Sequence, residues 1–523
     1  MHPYQVCRRP IYPNAVDPIP VCLMHSADPN KSITLFDQEF DRIIAAAASN
    51  KVADFTRFVF FAAEYSSKVF TSPCVFDEAR FACKTSFSTA TFEQEVSFQK
   101  TIFGTENLHE KADFNYTHFL GKTTFNTTTF WGEVNFSADF VGDLSFAMSI
   151  FEQRADFHRA TFAGEAYFGS TQFKGDAVFP GVVFKKSASF INATFSQHSH
   201  FAVAIFEEDV SFFWTTFTLE VHLLDTKFFK QANFREAKFL STADFRGTQF
   251  LQSGDRLPSL ILAQAEFVLP NSILFYKTDF THALLHDCDT SELNFSSVKW
   301  RTRPNGKRQL FEELVDLDAA VALQPGPENH NERDYGLIAE TYQKLKKNYD
   351  NRMDYWTAGD FHYGEMEMKR LHSLRKNKAA RWLHSNLGLV AWYRYASEYG
   401  ESYVRPLLAL IAVIILFTLL FPIPGLVFTK PDSGVIPAPA PFSLLSYRDL
   451  PTYIHAYPGP KWIAILAFFG HSLMTALSVA GFQKELIYQP AYPWGRAFAL
   501  FELLLTSTLI ALFLLALRRQ FRR

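Results

Sequence analysis

Four residues near the start, His2, Cys7, Cys22 and His25, stand in the spacing H-x4-C-x14-C-x2-H. Two thiolates and two imidazoles suit a tetrahedral zinc ion, and the compact C-x2-H pair would hold it from one turn. A full four-ligand shell leaves no open position, so such a zinc would be structural. The other reading is an irregular N-terminal cap with free thiols. The five cysteines, Cys7, Cys22, Cys74, Cys83 and Cys288, are odd in number and lack C-x-x-C spacing. That argues against a disulfide framework.

A second group that could do chemistry is His362, Glu365 and Glu367. Its surroundings are helical. Ile338, Tyr342, Leu345 and Tyr349 share one face, and Ala358, Phe361, Glu365, Met368 and His372 share another. The short "DNRMD" joins the two helices into an antiparallel pair, in which the charged groups read as packed and solvated. No second cluster completes an active site. The sequence shows no nucleophile–base pair, Gly-rich phosphate loop or catalytic metal spacing, so no enzyme is expected. The third chemical group is Glu502, inside an apolar stretch. A carboxylate at membrane depth is a functional group when it faces protein or water. The alternative places it near the outer interface or bonded to a neighbouring helix.

These groups sit in a chain of 523 residues, 48% hydrophobic and 20% charged. That length suggests several domains. Net charge is −2, so no global field favours nucleic acid. Phe occurs 57 times, and most of it forms one ladder from Phe76 to Phe250. In "FHRATFAGEAYFGSTQF", Phe157, Phe162, Phe168 and Phe173 are spaced five, six, five. The residue two before each Phe is small or β-branched (Ala155, Ala160, Ala166, Thr171, Ala177, Val182). A period of two puts both on one side of an extended segment. The residue between them is usually polar (Asp156, Thr161, Ser189) and points outward. Four such faces make one coil of a narrow, square-sectioned β-helix with Phe stacked on Phe. At 22 residues per coil and about 4.8 Å between strands, the ladder is a rod of roughly 40 Å. The extra residue of each six-step is expected as a corner bulge. The rhythm slips near Leu108 and between Phe136 and Phe146, and "AEF…TDF…LNF" at Phe267, Phe280 and Phe295 reads as a decaying end.

The "ADF" at Ala53, Ala112, Ala138, Ala155 and Ala243 resembles the pentapeptide-repeat family, with its pattern A-[DN]-[LF]-x-x. The resemblance covers about a third of the chain and implies a right-handed quadrilateral β-helix. Some soluble members mimic DNA, which needs a strongly acidic rod. From Phe76 to Phe250 there are 21 Asp plus Glu against 15 Lys plus Arg, a net of −6, too mild for that role. The N-terminal segment is similar to the short Cys/His knuckle preceding the repeats in some bacterial members. The segment "LKKNY…DYWTAGDFHYGEMEMKR" resembles the piece between repeats and membrane helices in bacterial pentapeptide-repeat membrane proteins.

Apolar stretches follow Tyr403. Residues 407–427 and 497–517 can span a bilayer. Residues 462–482 carry Gly, His, Ser and Thr and are expected to dip in and return. Basic residues before the first span and after the last place both ends in the cytoplasm. Trp382, Trp392, Tyr393 and Tyr395 among Arg381, Arg394 and Arg405 suit the headgroup layer. Span, dipping helix, loop, span is the order of the two-helix potassium-channel pore module. "VAGFQ" falls where the filter T-V-G-Y-G belongs, and "PWGRAFALFE" resembles the start of the inner helix. The resemblance implies filter-like positions at Val479, Ala480, Gly481, Phe482 and Gln483, an inner-helix carboxylate at Glu502, and a tetramer. Val479 in place of threonine and Gln483 in place of the second glycine depart from a potassium filter.

The organisation expected is therefore a Cys/His knuckle and cap (1–50), a β-helix (51–300), a linker (301–333), a helical hairpin with an interfacial helix (334–400) and a membrane domain (401–523). The "MHPYQVCRRPIYPNAVDPIP" start has no apolar h-region, so the rod is expected in the cytosol. The functional expectation is a bacterial inner-membrane protein. Its rod would bind a protein partner and its membrane domain would be channel-like. The competing expectation is a non-conducting scaffold anchored in lipid. Neither needs nucleic acid, nor a cofactor beyond structural zinc.

Overall fold

The computed structural model describes the chain except residues 1–8, 14–15, 49–50, 252–256, 316–333, 373–377, 429–443, 483–487 and 523. It divides into two units, Met1–Asn348 and Tyr349–Arg523.

The first unit is a parallel β-solenoid of about eleven turns, built from four sheets of 11, 10, 11 and 9 strands. Most strands are two residues long, because each face turns a corner after one inward pair. Pairing is parallel with a 22-residue offset over most of the length, as in Phe162↔Phe184 and Ala155↔Ala177. That offset places like on like. Phe157 stacks on Phe179 at 4.6 Å, Phe162 on Phe184 at 4.7 Å, and Phe168 on Phe190 at 4.8 Å. The rings of the ladder are essentially inaccessible to solvent. Burial of each contributes about 1.5–3 kcal/mol, and a stacked pair about 0.5–1.5 kcal/mol more.

The five–six rhythm is carried by two kinds of corner rather than by a bulge. Strand Ala155–Asp156 is followed by a four-residue corner and Thr161–Phe162 by a three-residue one. In the longer corner Ala160 N–H donates to Phe157 C=O at 3.0 Å. Arg159, third in that turn, has φ +56°, as a type II turn requires. The outward residue of the A-[DN]-F triplet secures this corner. Asp156 Oδ1 accepts from His158 N–H at 2.9 Å, and Asn233 and Asp244 do the same for Arg235 and Arg246. This is the Asx turn, which explains why Asp or Asn stands there. Thr at an inward small position is also satisfied. Thr171, Thr215 and Thr226 donate to the carbonyls of Phe146, Phe190 and Phe201 in the coil before, at 2.7–2.8 Å.

Both slips in the rhythm are absorbed outside the core. At Gly104–Lys111 a loop leaves one corner, exposing Leu108, while Phe87 still meets Phe114 at 5.3 Å. At Ser137–Ala138 a corner is one residue short, yet Phe119 and Phe140 stack at 4.8 Å.

The solenoid ends are closed. Helix α1 (Ile33–Ala47) sets Phe40 against Phe55 at 4.5 Å and Tyr65 at 4.6 Å. Lys31, nearly buried, donates to the carbonyls of Leu23, Ser26 and Val59. Burial lowers its pKa to about 8. At the other end the expected linker is ordered over its first part. Arg301–Thr302 and Arg308–Gln309 form a hairpin. Buried Glu312 accepts from Leu285 N–H, and Glu313 is bonded by Arg303, Gln309 and Tyr342. Tyr342 belongs to helix α2 (Tyr335–Asn351), and Asn348 of the same helix donates to Thr290 and Leu293 carbonyls. Backbone polar groups of the last coil thus find partners, as a terminal edge requires.

The second unit is helical: α3 (Tyr355–Leu371), α4 (Lys378–Leu387), α5 (Leu389–Ser397), α6 (Val404–Leu420), α7 (Leu450–Ala456), α8 (Lys461–Val479) and α9 (Pro493–Arg522). The first apolar stretch is helical only as far as Leu420. Pro422 and Pro424 stop it, and Leu426–Phe428 then pairs antiparallel with Leu444–Leu445 and Tyr488–Pro490. Among the described residues, α8 and α9 are the two helices long and apolar enough to cross a membrane, whereas α6, in the stretch expected to span, has 17 residues, and the stretch expected to dip in and return is one continuous helix as far as Val479. Phe417, Phe421, Leu426, Tyr453, Phe468 and Tyr488 form the core between helices and sheet.

The left-handed corners give one prediction. Val203 is β-branched, 58% exposed and held at φ +60°, where a left-handed conformation costs about 1–2 kcal/mol. Val203→Asn, which tolerates that region, is expected to raise stability by about 1 kcal/mol, read as the thermal midpoint of the purified chain. An unchanged or lower midpoint refutes the assignment of strain.

Candidate functional site

Of the four residues with zinc spacing, His2 and Cys7 lie outside the described residues. Cys22 and His25 do meet. Cys22 Sγ is 3.1 Å from His25 Nδ1, and His25 Nε2 is 3.1 Å from the carbonyl of Thr56. A ring nitrogen held by a backbone carbonyl fixes the other as the lone-pair donor, as in metal-bound histidines. Cys22 N–H is not needed for this. The turn closes through His25 N–H and Ser26 N–H donating to Cys22 C=O. Among the described residues no group of three or more His, Cys, Asp or Glu side chains is placed to hold a metal. The donor pair therefore suits zinc, with two further ligands required. None of the four described cysteines is in a disulfide.

The helical group is neutralised. Glu365 contacts Lys369 at 2.5 Å and His362 at 3.6 Å, and Glu367 contacts Arg370 and Arg394 at 2.7 Å. Paired carboxylates of this kind hold helices together and offer no free base.

A cluster that sequence reading missed lies on one outer face of the solenoid. The 22-residue offset aligns His200 with His222, and their rings stack at 5.0 Å. His198 lies 6.3 Å from His200 and 3.2 Å from Asp176. The signal was available as three histidines in positions 22 or 24 apart. Parallel rings cannot aim their lone pairs at one ion.

In the membrane-type unit the key feature is where α8 meets its neighbours. Ser472 Oγ donates to Thr418 C=O at 2.5 Å, beside the end of α6. The His471 ring is 5.0 Å from Tyr488, whose strand precedes α9 and pairs with the strand that follows α6. The middle of α8, the end of α6 and the start of α9 therefore lie together. The chain runs two more turns to Val479 and comes back to Tyr488.

The filter-like residues occupy the turning point. Val479 is the last residue of α8. Gly481 N–H donates to Ser478 C=O and Phe482 N–H to Leu477 C=O, with Gly481 at φ +88°. This is a Schellman cap. The carbonyl-lined strand implied by the resemblance needs an extended backbone, which Val479–Phe482 do not have. Ala480 is buried and Phe482 exposed, while Gln483 lies outside the described residues. Glu502 is fully buried in α9, and among the described residues neither carboxylate oxygen has a hydrogen-bond partner.

The histidine ladder gives a pH prediction. Burial holds His200 below the usual imidazole value, helped by His222, His198 and Arg154 and opposed by Asp176. The folded state then binds fewer protons than the unfolded one, so this contribution is full above about pH 6.5 and is lost as pH falls through the lowered value. His200→Asn is expected to shrink the drop in thermal midpoint between pH 7.5 and 5.5. An identical drop in both proteins would exclude the ladder as its source.

The comparisons agree with the repeat geometry. The family described as Pentapeptide repeats (9 copies) matches residues 168–213, within the regular run of stacked phenylalanines. No curated protein and no solved structure matches the chain.

Proposed function

We propose that this is an integral membrane protein whose right-handed solenoid is a cytosolic protein-binding rod coupled to a pore-loop, channel-like domain with a degenerate filter. The observation that carries the reading is the return of the chain between α8 and α9. Ser472 sits beside Thr418 and His471 beside Tyr488, so the C-terminal half of α8 lies against the end of α6 and the strand that leads into α9. Irregular backbone at membrane depth is stable only when protein surrounds it. Basic residues before α6 and after α9 support an orientation with both termini cytoplasmic, and the bacterial inner membrane belongs to the same proposal. The pore-loop reading also implies a tetramer, since that architecture closes around a symmetry axis.

Conduction would require the cap at Val479–Phe482 to unwind so that its carbonyls face an ion. The proposal is tested by ion flux in proteoliposomes. The expected result is a salt-gradient-driven flux from a chain of tetrameric mass in detergent, with both terminal reporters on the cytoplasmic side. A monomeric chain without flux, from which a partner is recovered on the solenoid, identifies the non-conducting scaffold instead.

The N-terminal pair supports a structural zinc completed by His2 and Cys7. It would supply a fold-closing tetrahedral centre and no chemistry. Metal analysis of the purified chain is expected to give one zinc, lost in Cys22→Ser. Wild-type protein free of zinc refutes this site.

A further inference from the structure

Glu502 is the one fully buried carboxylate among the described residues of the second unit with both oxygens unpartnered. Three hydroxyls of α8 and α9 are committed to backbone carbonyls. Thr506 Oγ1 donates to the Glu502 backbone carbonyl, not to the carboxylate. Ser472 Oγ is committed to Thr418, and Thr475 Oγ1 to His471 C=O.

The titratable and charged groups on the packed elements are Arg405 on α6, Lys461 and His471 on α8, Tyr488 in the strand before α9, and Tyr393, Arg394 and Tyr395 on α5, with Arg496, Arg518 and Arg519 on α9 itself. Arg405 pairs with Glu398, Arg394 with Glu367, and the His471 ring rests on Tyr488. Lys461 is exposed at the first residue of α8. None of these gives Glu502 a counter-charge.

A bare carboxylate in such a place is very costly, whereas a neutral acid loses only hydrogen bonds. Because the single chain already covers Glu502 completely, a second copy cannot reach it to supply a cation. Its position gives the group a role. Glu502 lies nine residues into α9, about 14 Å from the helix start, and Val479 lies about 10 Å beyond Ser472. Tyr488, five residues before α9, meets His471, the neighbour of Ser472, which ties the approach to α9 to the middle of α8.

We propose that Glu502 is a proton-binding site of the membrane domain, carrying its proton at neutral pH behind the Val479–Gly481 turn. Loss of that proton leaves a charge that only water or a cation could satisfy, so proton release and opening of the turn are coupled. The proposal rests on α9 lying in the membrane.

The test is infrared spectroscopy of the full chain in liposomes at about pH 7, wild type minus Glu502→Gln. A protonated-carboxyl C=O band that is lost in the variant is expected, and a carboxylate-only difference overturns the proposal. Should the variant fail to fold, dicyclohexylcarbodiimide labelling of wild type decides. The expected result is an adduct mapped to Glu502 that declines as pH rises. No adduct on Glu502, or equal labelling by a water-soluble carbodiimide, overturns it. A chain washed off membranes by alkaline carbonate would fail the membrane reading itself. A retained chain whose Glu502 is ionised fails the proton site alone.

Discussion

The first unit depends on one constraint, the 22-residue register that sets each phenylalanine on its equivalent in the next coil. Parallel strands of two residues have little intrinsic stability. They persist because each also delivers a ring to a continuous aromatic column, with planes nearly parallel at 4.6–5.3 Å through the central coils. The register makes the corners obligatory. Every second corner must admit a left-handed residue, and Asp or Asn three positions earlier accepts the N–H of the residue just before it. The two irregularities show how strong the constraint is, since length changes are pushed into corners while the columns continue.

A column cannot end without leaving backbone groups and ring faces exposed. The chain therefore adds elements that the repeat does not contain. At the start, α1 supplies Phe36 and Phe40, and Lys31 gathers three carbonyls. Desolvation of its ammonium is tolerated because those carbonyls replace water. At the other end, Glu312 and the Arg303–Glu313–Tyr342 set do the corresponding work. Burial pushes the Glu312 carboxyl up to about 7, so this cap favours the neutral acid.

The second unit follows different rules. Its helices α6, α8 and α9 are apolar on most sides, and the informative groups are the exceptions. Ser472, Thr475 and Thr506 satisfy their hydroxyls on helix carbonyls. Glu365 and Glu367 gather cations. Glu502 does neither. That single difference separates Glu502 from the structural polar residues of the same unit.

The phenylalanine steps, the small residues two before each ring and the apolar stretches were legible in the sequence because they are periodic and local. They determined a parallel solenoid followed by membrane-type helices. The sequence could not show what depends on residues brought together from far apart. Residues 301–313 read as linker by composition, yet their Glu312 and Glu313 close the solenoid. "VAGFQ" reads by resemblance as a filter, yet Gly481 takes the position that caps α8. His200 and His222 look unrelated until the coil register stacks them. Cys22 and His25 were legible as a pair because C-x2-H closes within one turn. The isolation of Glu502 was decided only by tertiary structure, since an orphaned carboxylate is defined by the absence of partners on every neighbouring element.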